Sequence, residues 1–137
     1  MGFDLAKNNL SDAAEVGYEF EVRLPGTGEP IGAFIKIRGE ESKIVKAFGR
    51  KKYNEWQVRV QQAKRRGKEP DEYTLEEAEE MAIESAITRV ISWRGFDDNG
   101  KPFEFSKENA EKMFKEHGWI REQVMEESAQ LLNFRPK

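Results

Sequence analysis

The stretch SWRGFDDNGKPFEFS, Ser92–Ser106, decides how the rest of the chain is read. It separates two helical patterns, carries Trp93, Phe96, Phe103 and Phe105, and has a hydrophilic turn at its centre. Such a segment surrounds a ligand, coordinates a metal, or ties two helices together. A calcium loop fails on position. With Gly100 as sixth residue, the first and twelfth are Gly95 and Ser106, where acidic ligands are needed. Asn99-Gly100 is instead a strong hairpin-turn signal, because that turn needs positive φ at both central residues. The stretch reads as a structural clasp: short extended arms around Asn99-Gly100, with Trp93, Phe103 and Phe105 pinning it against helices.

Upstream of the clasp, Thr74 and Glu77 form a T-x-x-E capping box at a helix start. Leu75, Ala78, Ala82, Ile83, Ala86, Ile87, Val90 and Ile91 then give a wide apolar face, so one helix is expected to run through Ile91. In RRGKEPDEY, Gly67 stops the preceding helix and Pro70 prevents its resumption. That earlier helix spans Glu41 to Arg66, with Ile44, Val45, Phe48, Trp56, Val60 and Ala63 on one stripe and Lys52 interrupting it. Gly49 weakens it by about 1 kcal/mol relative to Ala, which makes a kink or break there an open question. Downstream, Ser106 is a good N-cap for a short helix bearing Ala110, Met113 and Phe114. Gly118 stops that helix, and a last one carries Ile120, Val124, Ser128, Leu131 and Leu132 on one side.

Nearer the start the period changes to two. Tyr18, Phe20, Val22 and Leu24 alternate with Glu19, Glu21 and Arg23, and Ile31, Ala33, Ile35 and Ile37 share one face beyond the turn PGTGEP. Two strands alone are marginal, so this hairpin must pack on helices or join another sheet. The expected fold is α+β: one β-hairpin packed against about four helices, mostly helical. Residues 1–16 are expected as a flexible N-terminal arm, and residues 17–137 as a single domain with a linker-like break near 67–73.

The totals narrow the function classes. The 137 residues are 37% hydrophobic and 36% charged, polar yet aromatic enough to fold as one domain with a modest core. No cysteine is present, which excludes thiolate metal sites, cysteine nucleophiles and disulfide scaffolds, and fits a reducing compartment. The opening MGFDLAKNNLSDAAEVGY lacks a basic start and an apolar run, so no signal peptide is expected, and no run approaches membrane-spanning length. The net charge of −3 hides two opposed blocks. Lys43–Lys68 holds ten Lys and Arg against one acid, and Glu69–Ser92 holds eight acids against one Arg. Such blocks predict helices lying side by side, or a basic surface offered to an acidic partner.

Individual candidates for chemistry are weak. His117, the one histidine, sits just before Gly118 as a helix C-terminal cap, and no nucleophile elbow accompanies it. GTGEPIG has the wrong spacing for a phosphate loop and leads from strand to strand, so it reads as a hairpin turn. The acids of Glu76–Glu84 are expected on a solvated helix face. The basic patch of Arg50, Lys51, Lys52, Arg59, Lys64, Arg65 and Arg66 mixes with Tyr53 and Trp56, as nucleic-acid surfaces do. Against that, Trp56 falls on the apolar stripe and the sequence pI is near 5.4, so nucleic acid is the weaker expectation.

The order of pieces resembles the tail assembly chaperones of long-tailed bacteriophages. The resemblance is carried by FEVRLPGTGEPIGAFIKIRGEES, and more specifically by AITRVISWRGFDDNGKPFEFSKENAEKMFKEHGWIREQVMEESAQLLNF. The second segment has a helix ending in a small–Trp pair, a Gly-containing turn, an aromatic before FSKENA, a break near HGWI and a terminal NF. The resemblance covers most of Tyr18–Phe134; the basic insert around Lys51–Lys68 is less typical. It implies a non-enzymatic protein without cofactors. Such a protein binds the long helical tape measure protein, and tail tube subunits too, and self-associates. It acts in the bacterial host cytoplasm and is absent from the mature virion. Trp119, Ile120, Val124, Leu131, Leu132 and Phe134 are then candidates for the partner surface, or alternatively close the core. The competing expectations are a basic-helix nucleic-acid adaptor and a small virion protein such as a tail terminator or connector.

Overall fold

Alternation of apolar and charged residues produces the hairpin. In the computed structural model, which describes residues 2–136, β1 (Tyr18–Arg23) pairs antiparallel with β2 (Pro30–Ile37), placing Phe20 opposite Ile35. The register slips between Glu21 and Arg23, where Gly32 takes φ +79° and its N–H donates to Glu21 Oε2 at 3.0 Å. At the outer edge of β1 the Gln123 amide bonds both backbone groups of Arg23. Its Oε1 accepts from the N–H at 2.9 Å and its Nε2 donates to the C=O at 2.8 Å.

A third strand completes the sheet, in the order β1-β2-β3, where the sequence pattern predicts only the end of a helix. Helix α3 (Leu75–Arg89) ends before Val90 and passes without a loop into β3 (Val90–Arg94), which pairs antiparallel with β2. Val90 lies opposite Ile37 and Trp93 opposite Ile35, with a register shift that bulges Ile91. That bulge puts two residues three apart on one sheet face. The same spacing fits a helix, which is why periodicity extends α3 too far.

Helices α3, α4 (Lys107–Glu116) and α5 (Gly118–Ser128) cover one face of the sheet. The core joins Phe20, Val22, Ile35, Ile37, Val90 and Trp93 of the sheet to Ile83, Ala86, Ala110, Met113, Phe114, Ile120 and Val124 of the helices. Phe134, after a 3-10 turn at Leu131–Asn133, seals the far end beside Tyr18 and Gly39. The opposite face of the sheet is a charged layer. Arg94 lies 4.0 Å over the Phe34 ring and donates to Glu19 at 2.9 Å, and it is the first cause holding the Glu19 carboxyl below its usual range.

The remaining elements are α1 (Leu10–Val16) and α2 (Lys43–Arg65). Helix α2 runs unbroken through Gly49, lies beside α3 and α1, and fully buries only Val45 and Ala63. Gly67 stops it at φ +68°, with the Lys68 N–H returning to Ala63 O at 3.0 Å. The capping box forms as expected: Thr74 Oγ1 accepts from the Glu77 N–H at 3.1 Å and Glu77 Oε1 from the Thr74 N–H at 3.0 Å. A cap contributes about 1 kcal/mol, whereas burying one Phe or Ile contributes about 1.5–3 kcal/mol. The helix–sheet layer therefore holds the fold, and the caps set where its helices start. Helix is 51% of the chain and strand 17%, so the class is α+β and mostly helical.

Around the segment between β2 and α2, polar side chains join four helices, α1, α2, α3 and α5. Ser42 caps α2, accepting from the Ile44 and Val45 N–H groups, while its hydroxyl donates to Glu15 of α1. Ser128 Oγ donates to Arg38 O at 2.7 Å, and Arg89, almost wholly buried, reaches Glu40 at 2.9 Å. The Ser42 hydroxyl is the main cause holding the Glu15 carboxyl below its usual range, with burial opposing and the Ile44 and Lys43 N–H groups and Arg38 assisting. A depressed folded pKa contributes stability that is present above the ordinary value of 4.5 and lost as pH falls through the folded value. In urea denaturation over a pH series, Glu15→Gln is therefore expected to be less stable than the parent near neutrality. The gap should shrink as pH falls below about 4.5, and a gap constant with pH contradicts the linkage.

Candidate functional site

Beyond β3 the chain forms the clasp. Gly95 adopts φ +86°, and a Cβ there would meet Gly32 O at 2.6 Å, so the backbones approach only because it is glycine. β4 (Asp97–Asp98) and β5 (Lys101–Pro102) then pair across Asn99 at φ 53° and Gly100 at φ 77°, the expected turn. Phe103 N–H donates to Phe96 O at 2.8 Å and extends the pairing by one rung. Trp93 is the hub. Its ring stacks on Phe103 at 5.8 Å, meets Phe105 edge-on at 5.0 Å and Phe96 at 5.7 Å, and its indole N–H donates to Phe103 O at 2.8 Å.

Between the clasp and the α4–α5 junction lies a groove of about 210 Å³. Met113 and Ile120 form its floor, and Ile31, Phe96, Phe103 and Trp119 its walls. The junction is made by His117, which caps α4 with its N–H on Met113 O at 2.8 Å and turns the chain straight into α5 at φ −126°, ψ 68°. Asp97, Asp98, Glu116, Lys112 and His117 stand round the rim. Lys112 Nζ bridges to Asp98 Oδ2 at 3.0 Å, which raises the lysine's pKa. Asp97 and Glu116 have no ion-pair partner among the described residues.

The six candidate partner residues do not form one surface. Ile120, Val124 and Phe134 are buried, because three helices and a C-terminal plug together cover the apolar face of the sheet. Trp119 is half-buried in the groove wall. Leu131 and Leu132 remain on the surface, 54% and 69% exposed. The groove itself escapes periodicity arguments, since its walls come from β2, the clasp and α5. The legible signal was the cluster of aromatics flanking DDNG.

The basic patch divides. Lys52 turns to Glu84 of α3 at 3.0 Å and to Glu55 at 3.3 Å, which raises its pKa. Arg59 reaches Glu77 at 3.4 Å and lies 4.8 Å over the Tyr73 ring, while Tyr73 packs on the half-buried Trp56 at 5.3 Å. Arg50, Lys51, Lys64, Arg65 and Arg66 stay exposed without an ion pair among the described residues. The opposed charge blocks thus lie side by side, with a basic surplus facing outward. Among the described residues no three His, Asp or Glu side chains are arranged to hold a metal, and no helix is long and apolar enough to cross a membrane.

The profile of the YdaY prophage protein family matches residues 48–137, which takes in most of α2 and everything from α3 to the C-terminus. No curated protein and no solved structure matches the chain.

Because Trp93 both stacks in the clasp and bonds its backbone, Trp93→Phe is expected to cost about 1 kcal/mol or more, from the lost hydrogen bond to a partly buried carbonyl and the lost ring packing. Urea denaturation measures it, and an unchanged midpoint would remove Trp93 from its central place.

Proposed function

The chain belongs to the YdaY prophage protein family, and from that premise we propose that it is a phage tail assembly chaperone, which binds the tape measure protein and keeps it soluble while the tail tube assembles. The observation that carries this reading is the aromatic groove under the clasp, built from the same segment that carries the resemblance to such chaperones. Its volume of about 210 Å³ falls below the roughly 300–1,000 Å³ of small-molecule sites. It suits one side chain of a larger partner. A tape measure protein offers many such side chains on helical faces before the tube covers them, and apolar grooves bind amphipathic helices in this way. Leu131 and Leu132 add exposed apolar area.

On this reading no bond is made or broken. The protein acts in the host cytoplasm, contacts tube subunits and other copies of itself during assembly, and leaves before the virion is complete. A second reading, a nucleic-acid adaptor, is favoured by one observation: five cations of the patch on α2 and just beyond its end point outward without a counter-charge.

Co-expression separates the two. The chaperone reading expects a tape measure protein encoded beside this chain to remain in the soluble fraction only when the chain is present, and purified particles to lack it. The adaptor reading expects nucleic-acid binding with a steep salt dependence, lost when Lys64, Arg65 and Arg66 are neutralised. A tape measure protein that precipitates equally with and without the chain removes the chaperone.

A further inference from the structure

The groove has a chemical selectivity of its own. We propose that it takes one bulky apolar side chain from a partner helix that carries a Lys or Arg one turn away. The inference rests on the chaperone reading for its client, and on the groove alone for what it selects.

Three features lead there. Phe96, Phe103 and Trp119 present ring surface to the groove above a floor of Met113 and Ile120, so a Phe, Leu or Met side chain gains contact with the walls and floor. The volume of about 210 Å³ admits such a side chain and little more. The rim is unbalanced, with three carboxylates against one lysine, and that lysine is already held by Asp98. Asp97 on the clasp, and Glu116 on α4, which acts on Lys112 only at longer range than an ion pair, remain to attract a cation. On a bound helix the residues three and four positions from the anchor share its face, about one 5.4 Å turn away. A Lys or Arg there meets the acidic rim, whereas a Glu there is repelled.

Fluorescence anisotropy on the full chain tests this with three labelled helical peptides. Each has one central Phe, flanked at four residues on either side by Lys, by Gln or by Glu. A Phe→Ala version of the Lys peptide is the control for the anchor. The expected order of affinity is Lys over Gln over Glu, with the Phe→Ala peptide not bound. Exposed ion pairs give about 1.5- to 5-fold each, so the Asp97→Asn/Glu116→Gln double variant should weaken the Lys peptide about threefold to tenfold and leave the Gln peptide unchanged. Both side chains are exposed, and circular dichroism checks that the fold is kept. The Asp97→Lys/Glu116→Lys variant should reverse the preference toward the Glu peptide, a gain that misfolding cannot produce. Equal affinity for all three peptides, or no binding by any of them, overturns the proposal. If that happens while the tape measure protein is still held soluble, the chaperone reading stands without this groove. If the peptides discriminate as expected while the tape measure protein precipitates, the chaperone reading falls and the groove serves another basic helical partner.

Discussion

A helix that passes directly into a strand leaves its last carbonyl groups without helical partners, and here Arg38 supplies the donors. Its N–H bonds Arg89 O at 2.6 Å, and its Nη1 bonds Thr88 O and Val90 O, each at 3.1 Å. With those groups satisfied, α3 ends at Arg89 and β3 begins at once, already alongside β2. The rest follows from that placement. β3 carries Trp93, Trp93 gathers Phe96, Phe103 and Phe105, and of these Phe96 and Phe103 form part of the groove wall. Arg38 is itself held by Ser128 at its carbonyl, and its Nε lies 3.7 Å from Glu15, near enough for attraction but without a hydrogen bond. Removing one partner from such a partly buried charged group costs more than the interaction contributes on its own, because the others are left unpaired.

The elements that local chemistry governs were legible in the sequence. The hairpin, the capping box at Thr74, the stop at Gly67, the turn at Asn99-Gly100 and the cap at Ser106 each depend on residues a few positions apart, and each appears where the pattern puts it. The third strand depends on Arg38, some fifty residues upstream of the carbonyls it serves, and on a bulge at Ile91 that imitates helical spacing. No short window contains that information. The C-terminal apolar residues show the same limit. Periodicity marks Ile120, Val124, Leu131 and Leu132 alike as one helix side, but α5 ends at Ser128, so the first two face the sheet while Leu131 and Leu132 fall in the 3-10 turn beyond it and stay outside.

Charge segregation along the chain becomes a lateral arrangement in space. Lys52 and Arg59 join α2 to the acids of α3, yet exposed pairs of this kind contribute little, about 0–1 kcal/mol each. The packing of Trp56 on Tyr73 and the burial of Val45 and Ala63 carry most of the attachment. Helix α2 fully buries only two of its 23 residues, Val45 and Ala63, and few buried apolar contacts are what lowers the cost of local opening. The groove lies on α4, α5 and the clasp, away from it, so adjustments of α2 leave the aromatic walls in place.

The amide of Gln123 mimics a strand backbone. At Arg23 it offers the acceptor and donor that an incoming strand would offer, and so occupies one backbone seat on the sheet's edge. That seat is closed at Arg23, the last residue of β1. A side chain from a helix thus takes up, at one residue, the hydrogen-bonding capacity that a neighbouring strand would otherwise use.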